Sequence, residues 1–222
     1  MADTNINKQV KELEQLYLDG KYTELKEKLV KDRDSLSPGV FHYNLGTILA
    51  KEGNLAAARY NLEKAKSLGF SHPALIKNLD SVTKKVQVTQ YNSEKPLDIK
   101  LLEGFVFTSD SLFLLASLLC ALFMTILLRM KLIKNRYIFV ALLALSTTPF
   151  LVKKYHYNTT YMTAVNIKAT KVFEGPSEIY EPIKEIEGGQ KVIIGKSFED
   201  WIFVNWPVEY SGWVKRQDLG VL

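Results

Sequence analysis

Apolar and polar positions follow three different rhythms along these 222 residues. From residue 5 to 90, apolar side chains recur at helical spacing among Lys, Glu and Asp. Ile6, Val10, Leu13, Leu16 and Tyr17 form one stripe, and Tyr22, Leu25 and Leu29 the next. Turns separate the stripes at Asp19-Gly20-Lys21, Ser37-Pro38-Gly39, Glu52-Gly53-Asn54 and Gly69–Pro73. In the middle of the chain the rhythm disappears into two almost uninterrupted apolar runs. From Tyr161 onward short β-rich runs alternate with turns: Ala164–Lys168, Lys171–Phe173, Lys191–Ile194, Trp201–Val204 and Gly212–Val214.

The apolar runs predict a membrane hairpin. Ser111–Leu128 holds eighteen residues without a charge, inside the range of about 17–25 that a bilayer core requires of a helix. Extension through Gly104–Phe107 lengthens it and brings in Asp110, for which an interfacial position is expected. Tyr137–Val152 is sixteen residues, roughly 24 Å as a helix, and short for a span. Snorkelling by Arg136, Lys153 and Lys154, with Tyr137 and Tyr155 at the interfaces, makes that length workable. The loop of residues 129–136 between them carries Arg129, Lys131, Lys134 and Arg136, which cannot remain in hydrocarbon. Basic loops stay in the cytoplasm, so both soluble parts are expected outside it. Lys95, Lys100, Lys153, Lys154 and Lys168 weigh against this, spread over two longer flanks. The amino-terminal stretch has no apolar run of the signal-peptide kind, so with that topology the numbering is expected to begin at a mature or trimmed chain.

Within residues 1–90, Gly20 and Gly53 stand 33 residues apart, and the same offset relates Leu16 to Leu49, Tyr22 to Leu55 and Leu29 to Leu62. A period near 34 in helix–turn–helix units resembles tetratricopeptide repeats (TPR). Leu45-Gly46, Leu49, Gly53, Ala58, Leu62, Ala65 and Pro73 follow that pattern, whereas His42 replaces its usual Trp and Leu25 its usual Ala. A third helix from about Ala74 to Val88 is expected to cap the stack. By the repeat's usual geometry Val10, Glu14, Tyr17, Tyr43, Thr47 and Ala50 line the concave, partner-binding face, with packing between helices as the competing role for the aromatics. Residues 91–103 read as a linker.

Residues 161–222, after a second linker at 153–160, resemble a bacterial Src-homology-3-like (SH3-like) barrel. The resemblance lies in an early alternating strand, Gly175-Pro176-Ser177, Gly188-Gly189, Asp200–Val204 and the closing Gly212-Trp213-Val214. Closure is expected because an open sheet of such short strands leaves costly edges. Tyr180, Phe198, Trp206 and Tyr210 are its candidate ligand surface, for a peptide or glycan, or else core and rim residues. The fold class expected is therefore multi-domain: an all-α TPR-like repeat over 1–90, a helical hairpin with spans at 104–128 and 137–152, and an all-β SH3-like barrel.

Charge changes this picture little. The net +5 is concentrated in the hairpin loop, while Lys in the first hundred residues alternates with Glu and Asp, so no nucleic-acid partner is expected. A lone Cys120 in an apolar run permits neither an intrachain disulfide nor a cysteine metal site. His42, His72 and His156 have no metal-ligand spacing, and no phosphate loop or nucleophile elbow occurs. No catalytic residue, metal or cofactor is expected, and the chain reads as a non-enzyme.

The order of repeat, two spans and barrel resembles BatE, the exported repeat protein of the bacterial aerotolerance operon. That resemblance implies an inner-membrane scaffold whose partners are membrane proteins with von Willebrand A-type domains. The alternative is a cell-wall sensor whose SH3-like domain binds peptidoglycan.

Overall fold

The computed structural model describes residues 12–86, 101, 104, 108–131, 135–157 and 162–222. They divide into two compact units, one drawn from positions 1–90, 164–192 and 197–222, the other from 91–163 and 193–196.

The first unit begins with five helices: α1 (residues 12–18), α2 (Tyr22–Lys31), α3 (Pro38–Lys51), α4 (Leu55–Ser67) and α5 (Pro73–Lys85). Their boundaries follow local chemistry. Proline opens α3 and α5, where a missing N–H costs no helical bond, and the Asn54 side chain accepts from the Ala57 N–H to cap α4. Gly20 and Gly53 occupy left-handed φ of 72° and 82° just beyond α1 and α3, which gives the 33-residue offset its physical meaning. The expected Ala74–Val88 helix runs Pro73–Lys85.

Two apolar clusters hold the helices. Leu25, Leu29, Phe41 and Ile48 join α2 to α3. Leu49, Ala58, Leu62, Ala65, Leu75, Val82 and Val86 join α3, α4 and α5. Gly46 lies where α3 crosses α4, and a Cβ there would stand 3.0 Å from the Leu62 backbone nitrogen and 3.1 Å from the Ala58 carbonyl oxygen. His42 of α3 shares a 2.8 Å hydrogen bond between its Nδ1 and Oδ1 of buried Asn61 on α4.

The carboxyl-terminal strands are β1 (Met162–Asn166), β2 (Thr170–Phe173), β3 (Pro182–Ile186), β4 (Lys191–Phe198), β5 (Trp201–Trp206), β6 (Gly212–Lys215) and β7 (Leu219–Val221). They form one sheet in the order β3-β2-β6-β5-β4-β1-β7. This overturns the expected SH3-like barrel, and with it the three-module fold class: β3 and β7 end an open sheet instead of meeting. The edge argument fails for a physical reason. Strand β3 is blunted by Pro182, Lys184 and Glu185, is exposed at four of its five residues, and faces a register break between Val172 and Phe173. At the other edge β7 is only three residues long, and its Val221 carbonyl accepts from Lys64 Nζ of α4 at 3.0 Å. Behind the β1–β2 turn, buried Asp218 accepts from Thr170 Oγ1 at 2.5 Å and pairs with Lys168 at 2.8 Å.

The second unit contains α6 (Asp110–Arg129) and α7 (Arg136–Val152), the latter continuing into a π turn at Lys153–Tyr157. The continuation removes the length shortage, since Tyr137–Tyr155 offers nineteen helical residues. Both helices are long and apolar enough to cross a membrane, and only 6% of each apolar window is buried. A core helix of a water-soluble domain would be mostly buried, so this exposure favours a lipid solvent. Residues 105–107 of the expected first span lie outside the described residues.

Lys153 departs from the snorkelling expected of it. It is 2% exposed, 3.4 Å from Asp110, with its ammonium 5.4 Å from the Phe113 ring centroid. The pair ties the start of α6 to the end of α7. Asp110→Asn, which leaves the ammonium without its carboxylate, is expected to cost roughly 1–3 kcal/mol, read as a lower helix-melting temperature in detergent micelles. Asp110→Asn with Lys153→Met, which removes both charges, should recover most of that loss.

Candidate functional site

The helical face implied by the repeat resemblance is divided by packing. Glu14 is exposed on α1, Tyr17 is half-buried, and Val10 lies outside the described residues. Tyr17 meets the Tyr22 ring edge-on at 5.8 Å, with Lys51 Nζ 5.7 Å from its centroid. Tyr43 stacks on Phe70 at 4.8 Å. One turn on, the Thr47 hydroxyl donates to the Tyr43 carbonyl and accepts from Asn78 Nδ2 at 3.2 Å. These contacts knit α3 to α5 and to the turn before it. Tyr43 is therefore a packing residue first, with part of its ring left at the surface. Tyr43→Ala is expected to destabilise the unit by about 3 kcal/mol, seen as a shifted midpoint in chemical denaturation.

The aromatic set of the sheet also splits. Tyr180 and Phe198 are about half exposed and Trp206 is half-buried, whereas Tyr210 is 4% exposed in the turn Val208–Tyr210. Tyr210 is a core residue. The Tyr180 ring lies against Gly175, at which a Cβ would approach it to 2.3 Å.

One concavity of the sheet lies elsewhere, at one end of the β5–β6 pair. A cleft of about 580 Å³ is lined by Pro176, Ser177 and Glu178 after β2, Glu199, Asp200 and Trp201 at the β4–β5 turn, and Lys215, Arg216 and Gln217 at and after the end of β6. The register pairs Trp201 with Lys215, so the Lys215 ammonium stands over the indole at 6.0 Å, while the Phe173 ring meets that indole edge-on at 5.2 Å. Lys215 donates to the Glu178 carboxylate, and the Arg216 N–H donates to the Asp200 carbonyl at 2.7 Å. The hydrogen bond from Lys215, and then its charge, hold the Glu178 carboxyl below its ordinary range, and the same bond raises the Lys215 ammonium. Both signs of charge thus remain fixed across neutral pH beside a flat aromatic wall.

Such a cleft can recognise an extended peptide or another ligand carrying both an amine and a carboxylate. In the sequence Trp201 reads only as the first residue of a β-rich run. The β5–β6 register was the signal that would have placed Lys215 beside it. Among the described residues no three His, Cys, Asp or Glu side chains converge as metal ligands. Comparison with protein-family models, curated proteins and solved structures returned no match.

Proposed function

We propose that this chain is a membrane-anchored scaffold that binds protein partners and carries out no catalysis of its own. The observation that carries the reading is the pair of exposed apolar helices, Asp110–Arg129 and Tyr137–Tyr155, in a chain that also carries the cleft beside Trp201. Arg129 and Lys131, exposed at the turn between the helices, favour that turn in the cytoplasm and the soluble residues on the far side of a bacterial inner membrane. The order of helical segment, two spans and β segment keeps the BatE-like reading as a proposal, with von Willebrand A-type membrane proteins as the partner class.

Carbonate washing of membranes tests the anchor: the chain should stay in the pellet, and its release would end the proposal. In a Cys120→Ala background, impermeant thiol labelling at Gln217→Cys but not at Asn135→Cys on intact cells is expected, and the reverse pattern would invert the topology. Partner binding is read by pull-down, with a melt beside it. Glu14→Lys, on the exposed side of α1, and Lys215→Glu should each lose partner at an unchanged melting temperature if the helical face and the cleft are both used. Capture of isolated peptidoglycan instead of a membrane protein would replace the scaffold with a cell-wall sensor.

A further inference from the structure

Helix α4 carries two stripes. Ala58, Leu62 and Ala65 form the apolar one and are buried at 0% exposure among α3 and α5. Ala56, Arg59, Tyr60, Glu63 and Lys64 form a second, at spacings of three and four residues, which makes one helix face. By composition this face belongs in water, yet every one of its members meets the carboxyl-terminal segment.

Arg59 Nη1 donates to the Gly189 carbonyl at 2.7 Å, Lys64 Nζ donates to the Val221 carbonyl at 3.0 Å, and Glu63 pairs with Lys191 at 3.2 Å. Ala56 and Tyr60 lie over glycines. A Cβ on Gly188 would stand 3.1 Å from the Ala56 Cβ, and one on Gly220 would stand 2.3 Å from the Tyr60 ring. Gly189, at φ 88°, leaves as little room beside Val86, with 2.7 Å to its Cγ1. Burial lowers the Arg59 pKa, partly offset by the Glu63 charge, and raises that of the Tyr60 phenol. Two close glycine approaches and three polar contacts fall on one helical stripe, with Gly189 closing on Val86 beside it, and together they describe a shaped docking surface.

We infer that the soluble segments before and after the spans are a single discontinuous domain, in which the partner of the outer α4 face is the chain's own sheet, with the membrane hairpin as an insertion. Two consequences follow. The α4 face is already occupied and is not where the scaffold receives other proteins. The two segments also share one side of the membrane, because residues on opposite sides cannot dock, so the chain crosses an even number of times whichever way the basic turn faces.

The test uses the full chain in native membranes with Cys120→Ala, Ala56→Cys and Gly188→Cys. The 3.1 Å spacing is near the Cβ–Cβ separation of about 3.5–4.5 Å found in disulfides. Mild oxidation should cross-link most chains within themselves, giving a faster-running monomer on a non-reducing gel. A covalent dimer would overturn the inference and assign the α4 face to a second copy. No cross-link in a protein that melts normally would overturn it as well. Charge reversal covers the case in which the cysteine variant misfolds. Glu63→Lys should lower the melting temperature by a few degrees, and adding Lys191→Glu should restore it. Failure of that restoration counts against the docking.

Discussion

Gly46→Leu is expected to cost at least about 3 kcal/mol, a large share of what holds the helical segment folded. The side chain at this position has nowhere to go. Its first carbon would lie 2.9 Å from Leu62 Cγ and within 3.1 Å of two α4 backbone atoms, so relief requires the whole of α4 to move. Overpacking a core costs typically 1–3 kcal/mol when flexible side chains can yield, and here backbone must yield. Moving α4 outward also opens the cluster of Ala58, Leu62 and Ala65. Domains have only about 5–15 kcal/mol in hand. Denaturant melts followed by far-ultraviolet circular dichroism measure the loss. Gly46→Ala should lie between the two, and an unchanged midpoint for leucine would mean that α3 and α4 do not approach as described.

Gly212→Val should damage the sheet to a similar degree, at least about 3 kcal/mol by the same overpacking argument. Strand β2 joins β6 through the pairing of Phe173 with Trp213, and β3 is attached to the sheet through β2. A Cβ on Gly212 would stand 2.4 Å from Val172 Cγ1 and 2.9 Å from the Phe173 carbonyl oxygen. The substitution therefore pries at the seam that attaches two strands to the other five. Loss of the tryptophan signal of Trp201 and Trp213 at lower denaturant, with the α2–α3 core intact, is the expected signature. Normal melting of the variant would show that the seam tolerates a side chain.

What could be read from the chain was whatever depends on near neighbours. Helices α2 to α5 follow from 3.6-residue periodicity, helped by prolines at the starts of α3 and α5 and by glycines just past α3 and α4. The two apolar helices follow from uncharged length. Strand pairing joins distant residues, and there the sequence was ambiguous. Strand β3 escaped notice because Pro182-Ile183-Lys184-Glu185 has no alternating apolar face, which is also why it serves as an edge. Without β3, the remaining strands read as a ring too small to stay open. Gly212 reads only as the start of a β-rich run, and nothing local to it announces the close approach of β2. Tyr210 has the composition of a surface aromatic but is enclosed by its turn. The second α4 stripe reads as a solvated face because its members are polar, small or amphipathic. Only the glycines opposite it, near the other end of the chain, show that it is covered.

Helix α4 also sets a timing problem for synthesis. The carbonyls that accept from Arg59 and Lys64 belong to residues 130 and 157 positions later. At the usual elongation rate of about 5–20 residues per second, that face waits roughly 7–30 s for its cover. During the interval two apolar helices leave the ribosome and must be delivered to a bilayer. A ribosome stalled after residue 157 would therefore present a chain with a folded apolar core and one uncovered flank.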